Sequence, residues 1–277
     1  MMPEVLGPNN EKYVDFYANW VKLQEEYLEE LRAALDSNIH ATELLGLVQK
    51  VLAHYEEYYT AKDGATRQDV LKVVQSSWKS PLETAFMFIG GWRPTIACQL
   101  AYAQAGQQIE AELAEFLSGI DTPTMASLSS KQLSRISDLQ QLTQKSEEDL
   151  EHRMAVLQQG FADEPLLSLA QGHDQHRSHP MLSLEQAGEQ QRAEEEADGS
   201  DHVTELQSAM DEKVKALEEL VIDANDVRYR TLKEMVQILN PVQAAQYLVA
   251  AAQIQVAIRH LGAKQNGTHH NSEHTEA

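Results

Sequence analysis

The chain has 277 residues, 42% of them apolar and 23% charged, a composition that excludes a wholly disordered protein. Its 22 Lys and Arg face 43 Asp and Glu, a formal net charge of -21, which repels phosphate backbones and anionic membrane surfaces alike. A single cysteine, Cys98, excludes an intrachain disulfide and a cysteine-built zinc site, and points to a reducing compartment, nucleus or cytoplasm.

Residues 1–12 carry neither a secretory signal pattern nor helical periodicity and are expected to be disordered. Tyr13, Phe16, Tyr17, Trp20, Leu23, Tyr27, Leu28, Leu31 and Leu35 then recur at steps of three and four, one apolar face of a helix. Leu44, Leu47, Val48, Val51, Leu52, Tyr55 and Tyr58 make a second face. A short apolar group, Val70 to Val74, follows. Ser80-Pro81-Leu82-Glu83 predicts a helix start: Ser80 caps, Pro81 takes the first helical position and Glu83 closes a capping box. That helix is expected to run to Ile89 and to stop at Gly90-Gly91. Pro94 opens another, carrying Ile96, Leu100, Ile109, Leu113 and Phe116, until Asp121-Thr122-Pro123 breaks the chain.

Ser129 with Gln132 predicts a further capping box, before a long helix with Leu133, Ile136, Leu150, Met154 and Phe161 on its apolar side. From residue 171 to 202 the periodicity disappears. Eight acids and two arginines leave a local charge of -6, and the segment reads as an acidic disordered insert. A helix from about Thr204 to Ile238 follows. Asn240-Pro241 starts the last one, which is apolar on two sides and therefore expected at the centre of the fold. Gly262 is its expected stop, with 263–277 a disordered tail. No strand pattern, internal repeat or apolar run of membrane-spanning length appears. The expected fold is all-α: a multi-helix bundle over 13–262 with a buried C-terminal helix.

Candidate chemistry is sparse. There is no nucleophile elbow, phosphate loop or His-Glu-x-x-His motif, and Cys98 lies on an apolar stretch as an inert thiol would. His173, His176 and His179 have ligand-like spacing but fall in the insert, and His269, His270 and His274 fall in the tail. His54 and His152 are expected at helix surfaces or boundaries. His260 lacks a second histidine to complete a haem pair. No catalysis, metal or cofactor is expected.

The densest segment runs from Trp78 to Pro94. It brackets one short helix with Trp78, Lys79, Glu83, Trp92 and Arg93. Read as packing, the tryptophans are core rings and Arg93 pairs with a local acid. Read as function, Trp and Arg are the residues that anchor protein interfaces, and Arg93 before a proline belongs at the surface. A second cationic group, Arg228, Arg230 and Lys233, lies among Asp223, Asp226 and Glu234 and reads as a salt-bridged face.

Several short pieces resemble one family in order along the chain. They are Phe16-Tyr17-x-x-Trp20, His54-Tyr55-x-x-Tyr58-Tyr59-x-Ala61-Lys62, Trp78-x-Ser80-Pro81-Leu82-Glu83 and Gly90-Gly91-Trp92-Arg93-Pro94. Leu133-x-x-Ile136-x-x-Leu139-Gln140, Asp163-Glu164-Pro165, Arg228-x-Arg230-Thr231-Leu232-Lys233 and Ile238-Leu239-x-Pro241-x-Gln243-Ala244 continue the series. The chain is similar to the plant Delay of Germination family, whose domain also forms the C-terminal region of TGA-type basic leucine zipper factors. The resemblance implies a non-enzymatic regulatory domain that binds protein partners, among them transcription factors or protein phosphatases, in seed dormancy signalling or pollen-aperture patterning. It implies no direct DNA binding here, since no basic helix or leucine heptad is present. Haem, which the resemblance also raises, would need histidines where Gln255 and Arg259 stand. A homo-oligomer is compatible with this reading. A rival reading from the residues alone is a sensor that holds a small apolar ligand in a cavity between helices.

Overall fold

The computed structural model describes residues 8–37, 39–106, 128–160 and 189–273 of the chain. Eight helices are present among them, and the one β-feature there is an isolated bridge between Phe88 and Gly91. They are α1 (Pro8–Asp36), α2 (Ala41–Gln68), α3 (Val70–Gln75), α4 (Pro81–Ala85), α5 (described over 96–106), α6 (Ser130–Gln159), α7 (Glu189–Ile238) and α8 (Pro241–Glu273). The expected all-α bundle is the observed fold. No helix among the described residues is long and apolar enough to cross a membrane.

The chain divides into two compact units. One comprises residues 1–149 and 221–277, the other residues 150–220. The smaller unit is built from the end of α6 and the first part of α7. The larger unit holds the main core. Tyr17, Trp20 and Leu31 of α1 pack with Val48, Val51 and Tyr55 of α2, Ile136 and Leu139 of α6, Met235 of α7 and Ala245 and Leu248 of α8. These are the residues that the periodic faces nominate, because a helix must bury its apolar stripe to offset chain entropy.

Helix starts follow side-chain chemistry. Ser129 Oγ accepts from Gln132 N at 3.3 Å, and Gln132 Oε1 accepts from Ser129 N at 3.0 Å. Asn240 and Gln243 repeat the arrangement at the start of α8, with both bonds at 2.9 Å. Each box satisfies amide groups that the first turn leaves without carbonyl partners. The two boxes also touch: Gln132 Nε2 donates to Gln243 Oε1 at 2.6 Å and to Ile238 O at 3.1 Å. The N-terminus of α6 is thereby tied to the α7–α8 junction.

Three boundaries differ here from expectation. Helix α1 begins at Pro8, inside the expected disordered start, while residues 1–7 lie outside the described residues. Helix α7 begins at Glu189 and not near Thr204, so 189–202 is helical backbone; Glu, Gln, Ala and Arg favour a helix without an apolar stripe. Residues 171–188 of the expected insert lie outside the described residues, as do Ile109 to Pro123, Phe161 and Asp163-Glu164-Pro165. Helix α8 passes through Gly262 to Glu273. Gly262 is a contact and not a stop, because a Cβ there would lie 2.6 Å from Ser80 Cβ. The early part of α8 is central as expected, with Ala244, Ala245, Tyr247, Leu248, Ala250 and Ala252 buried.

Candidate functional site

Between α3 and α5 the chain makes a short helix and a tight reversal. Ser80 Oγ accepts from Glu83 N at 3.2 Å, and Glu83 Oε2 accepts from Ser80 N at 2.8 Å, the expected capping box with Pro81 at the first turn. Helix α4 ends after five residues, not at Ile89. Phe88 and Gly91 then exchange backbone hydrogen bonds at 2.6 and 3.1 Å. Ile89 and Gly90 sit at φ 45° and 70°, so both central residues of the reversal are left-handed. Gly90 adopts this freely. Ile89 is β-branched, and its conformation costs on the order of 1–3 kcal/mol. Gly90-Gly91 therefore shapes a turn and does not end a helix.

Two buried cations hold this turn. Arg228 of α7 donates from Nη2 to Phe88 O and, at 3.0 Å, to Ile89 O, and from Nε to Trp92 O at 2.5 Å. Lys62 of α2 donates from Nζ to Gly90 O at 2.7 Å. Asn225 Oδ1 accepts from both, at 2.8 Å from Lys62 and 3.0 Å from Arg228, and Asn225 Nδ2 donates to Asp63 at 2.7 Å. Four carbonyls of one turn are thus satisfied by two side chains from distant helices. Gly91 is required by closeness, since a Cβ would lie 2.8 Å from Arg228 Cζ. Burial pushes the Lys62 ammonium well below its ordinary pKa, with Arg228 and Lys79 acting the same way and Asp63 opposing. Burial lowers Arg228 as well.

Arg93 lies beyond the turn, 45% exposed. Its guanidinium stacks 4.4 Å over the Phe88 ring, and Nη1 is 3.4 Å from Glu147 Oε2. Glu147 of α6 is buried. It accepts from Thr95 N at 2.6 Å and Thr95 Oγ1 at 3.1 Å, which fixes the start of α5.

Beside this turn lies a half-open pocket of about 340 Å³. Its walls are mainly apolar and include Phe86, Trp92, Ile96, Leu100, Ile254 and Ile258; Arg228 and Tyr59 supply polar edges. Phe86, Ile96 and Ile254 are exposed large apolar side chains.

The structure gathers Trp78, Lys79, Glu83, Trp92, Arg93 and Arg228 around the α4 turn, and it leaves Arg230 apart. Trp78 is half-buried, edge-to-face on Tyr13 at 5.3 Å, and Trp92 is half-buried at the pocket, so neither is a fully buried core ring. Arg230 is exposed and 3.8 Å from Asp226, as a salt-bridged face requires. Arg228 is not part of that face: it is buried and bonds backbone carbonyls instead. The reason is rotation, since residues 228 and 230 lie about 200° apart around a helix. Lys62, Asn225 and Glu147 were not nominated by the sequence reading, yet all three are buried in the described site.

His54 also departs from the expected surface position. It is 4% exposed and stacks on Trp20 at 4.6 Å, with both ring nitrogens lacking a hydrogen-bond partner among the described residues. Burial lowers its pKa to about 4. His152 and His260 are exposed, and His260 is 3.7 Å from Glu25. The Cys98 thiol is buried and pushed up to about 12 by burial, then by Glu147, which suppresses thiolate chemistry. The side chains of the 173–179 and 269–274 histidine groups lie outside the described residues.

Residues 27–103, which include α2, α4 and the turn, match the family model described as "DOG1: Seed dormancy control". Protein DOG1-like 4 of Arabidopsis thaliana is 30% identical over 262 residues, covering 94% of this chain and 96% of its own length. Protein DOG1-like 3 of the same plant is 25% identical over 89% of this chain and 82% of its own. Transcription factor TGA2.3 of Oryza sativa subsp. japonica is 29% identical over 88% of this chain and 62% of its own length.

Proposed function

The chain belongs to the DOG1-like family, and from that premise we propose that it is a non-catalytic plant regulatory protein that works by binding protein partners. The observation that carries this reading is the clamped turn. Two buried cations hold a strained reversal rigid, and beside it Phe86 and Arg93 face solvent. A rigid aromatic and arginine pair loses little freedom on binding, which is how interface anchors gain affinity. The family description and the transcription-factor relatives support regulation in seed dormancy or transcription; placement in the nucleus or cytoplasm is part of the proposal, and a pollen-aperture role rests on the family resemblance alone. Partners of two kinds suit this reading, TGA-type transcription factors and protein phosphatases. The charge of -21 supports indirect and not direct contact with DNA. The test is a pull-down with purified partners of both kinds, using the intact chain and Trp92→Ala as baits. The proposal expects capture by the intact chain and reduced capture by the variant. Failure of both kinds to bind would overturn it.

A second reading has its own support. The apolar pocket of about 340 Å³ falls in the size range of small-ligand sites, so the domain also suits a sensor of a small apolar molecule. A ligand that raises the melting midpoint of the intact chain, and fails to do so after Ile254→Trp fills the pocket, would establish it.

A further inference from the structure

On the far side of the Trp92–Arg228 wall lies a smaller cavity of about 40 Å³, and we propose that it binds a small monoanion, a halide or short carboxylate. Its lining includes Lys62, Lys79 and Arg228 together with Tyr58, Tyr59 and a single carboxylate, Glu83. Three basic side chains stand against one carboxylate in a protein of charge -21.

Donor counts point the same way. A lysine ammonium carries three N–H groups and a guanidinium five. Lys62 commits two, to Gly90 O and Asn225 Oδ1. Lys79 has Met87 Sδ at 3.7 Å as the one hydrogen-bond acceptor recorded for it among the described residues, and a thioether is a weak acceptor. Glu83 Oε2 already accepts from Ser80 N and Ser80 Oγ at the α4 cap. Arg228 spends four of its five N–H groups on Phe88 O, Ile89 O, Trp92 O and Asn225 Oδ1, so the donor short of an acceptor is Lys79.

Size limits the occupant. One water molecule needs about 10–15 Å³ of such space, so the cavity takes a few atoms and excludes a long chain or a nucleotide. Burial lowers Lys79 to about 8, Glu83 opposes that and Arg228 adds to it. This site does not depend on the partner surface at Arg93, and its test involves no partner.

The experiment is a set of thermal melts of the full chain at pH 7 and constant ionic strength. Sodium chloride or sodium acetate replaces the salt of a bulky sulfonate, MES, in steps. The expected result is a saturable rise of about 3 °C in the midpoint, as for a ligand that binds only the folded state. Lys79→Met is expected to abolish the rise, while Lys22→Met, at an exposed position on α1, retains it. Should Lys79→Met fail to fold, Lys79→Gln supplies the same readout. A rise that is absent, that grows without saturation, or that persists unchanged in the Lys79 variant would overturn the proposal.

Discussion

Arg228 carries more of the site than any other side chain described. It supplies the hydrogen-bond donors for three carbonyls of a turn that has few other means of satisfying them. Arg228→Met keeps the volume and removes the donors. The expected loss is more than about 3 kcal/mol, since buried acceptors lose charged partners together, and a urea melt measures it. Ile89 gives a second prediction. At an ordinary position Ala is more stable than Gly, but at φ 45° the order inverts. Ile89→Gly is therefore expected to exceed Ile89→Ala in stability by about 1 kcal/mol, and the reverse order would show the turn to be unstrained. His54 gives a third. Its folded pKa of about 4 lies below the ordinary 6.5, so above 6.5 both states are neutral there and its contribution is constant. As pH falls from 6.5 to 4 the unfolded chain gains a proton that the folded one does not. Stability is lost over that window, by about 3 kcal/mol from this group. Melts of His54→Phe across the same window should show a shallower decline than the wild type.

At the scale of elements, most helices and their starts were legible in the sequence. Capping boxes at Ser80, Ser129 and Asn240 are local chemistry, decided by residues three apart, and all three form. The central position of α8 followed from its apolar residues on two sides. The buried charges were harder to read, because a charge was taken as a sign of exposure. Yet Lys62 lies seven residues after Tyr55 on the buried face of α2. Arg228 continues Val221 and Ala224 toward Thr231 and Met235, all buried. Glu147 stands between Thr143 and Leu150 in the same way. Each charged residue occupies a slot that the 3.6-residue period assigns to the core, and that conflict of register with residue type was the available signal. What no local pattern could supply is the acceptor set, since the carbonyls of 88–92 are brought to Arg228 from 136 to 140 positions away in sequence. The start of α7 and the end of α8 lie beyond their expected positions for the opposite reason. Apolar periodicity marks where a helix packs, whereas helix formers carry it beyond the packed part.

For the whole molecule, charge and the clamped turn together support the proposed function. With 43 acids against 22 basic residues, the chain is expected to form no salt-sensitive complex with duplex DNA, and a gel shift that weakens steeply with salt would refute this. Under the proposed function, regulation would then pass through a protein partner. In the proposed function a rigid turn, fixed from inside by Arg228 and Lys62, offers Arg93 outward as an anchor. Arg93 is 45% exposed, so its pair with Glu147 contributes at most about 1 kcal/mol to stability. The direct test pairs two measurements on Arg93→Ala: a melting curve and a titration with a captured partner. The expected result is a midpoint within about 3 °C of the wild type and an affinity at least about tenfold weaker, the mark of an interface anchor that the fold does not need. An unchanged affinity, or a loss of affinity that merely follows a large fall in the midpoint, would contradict it.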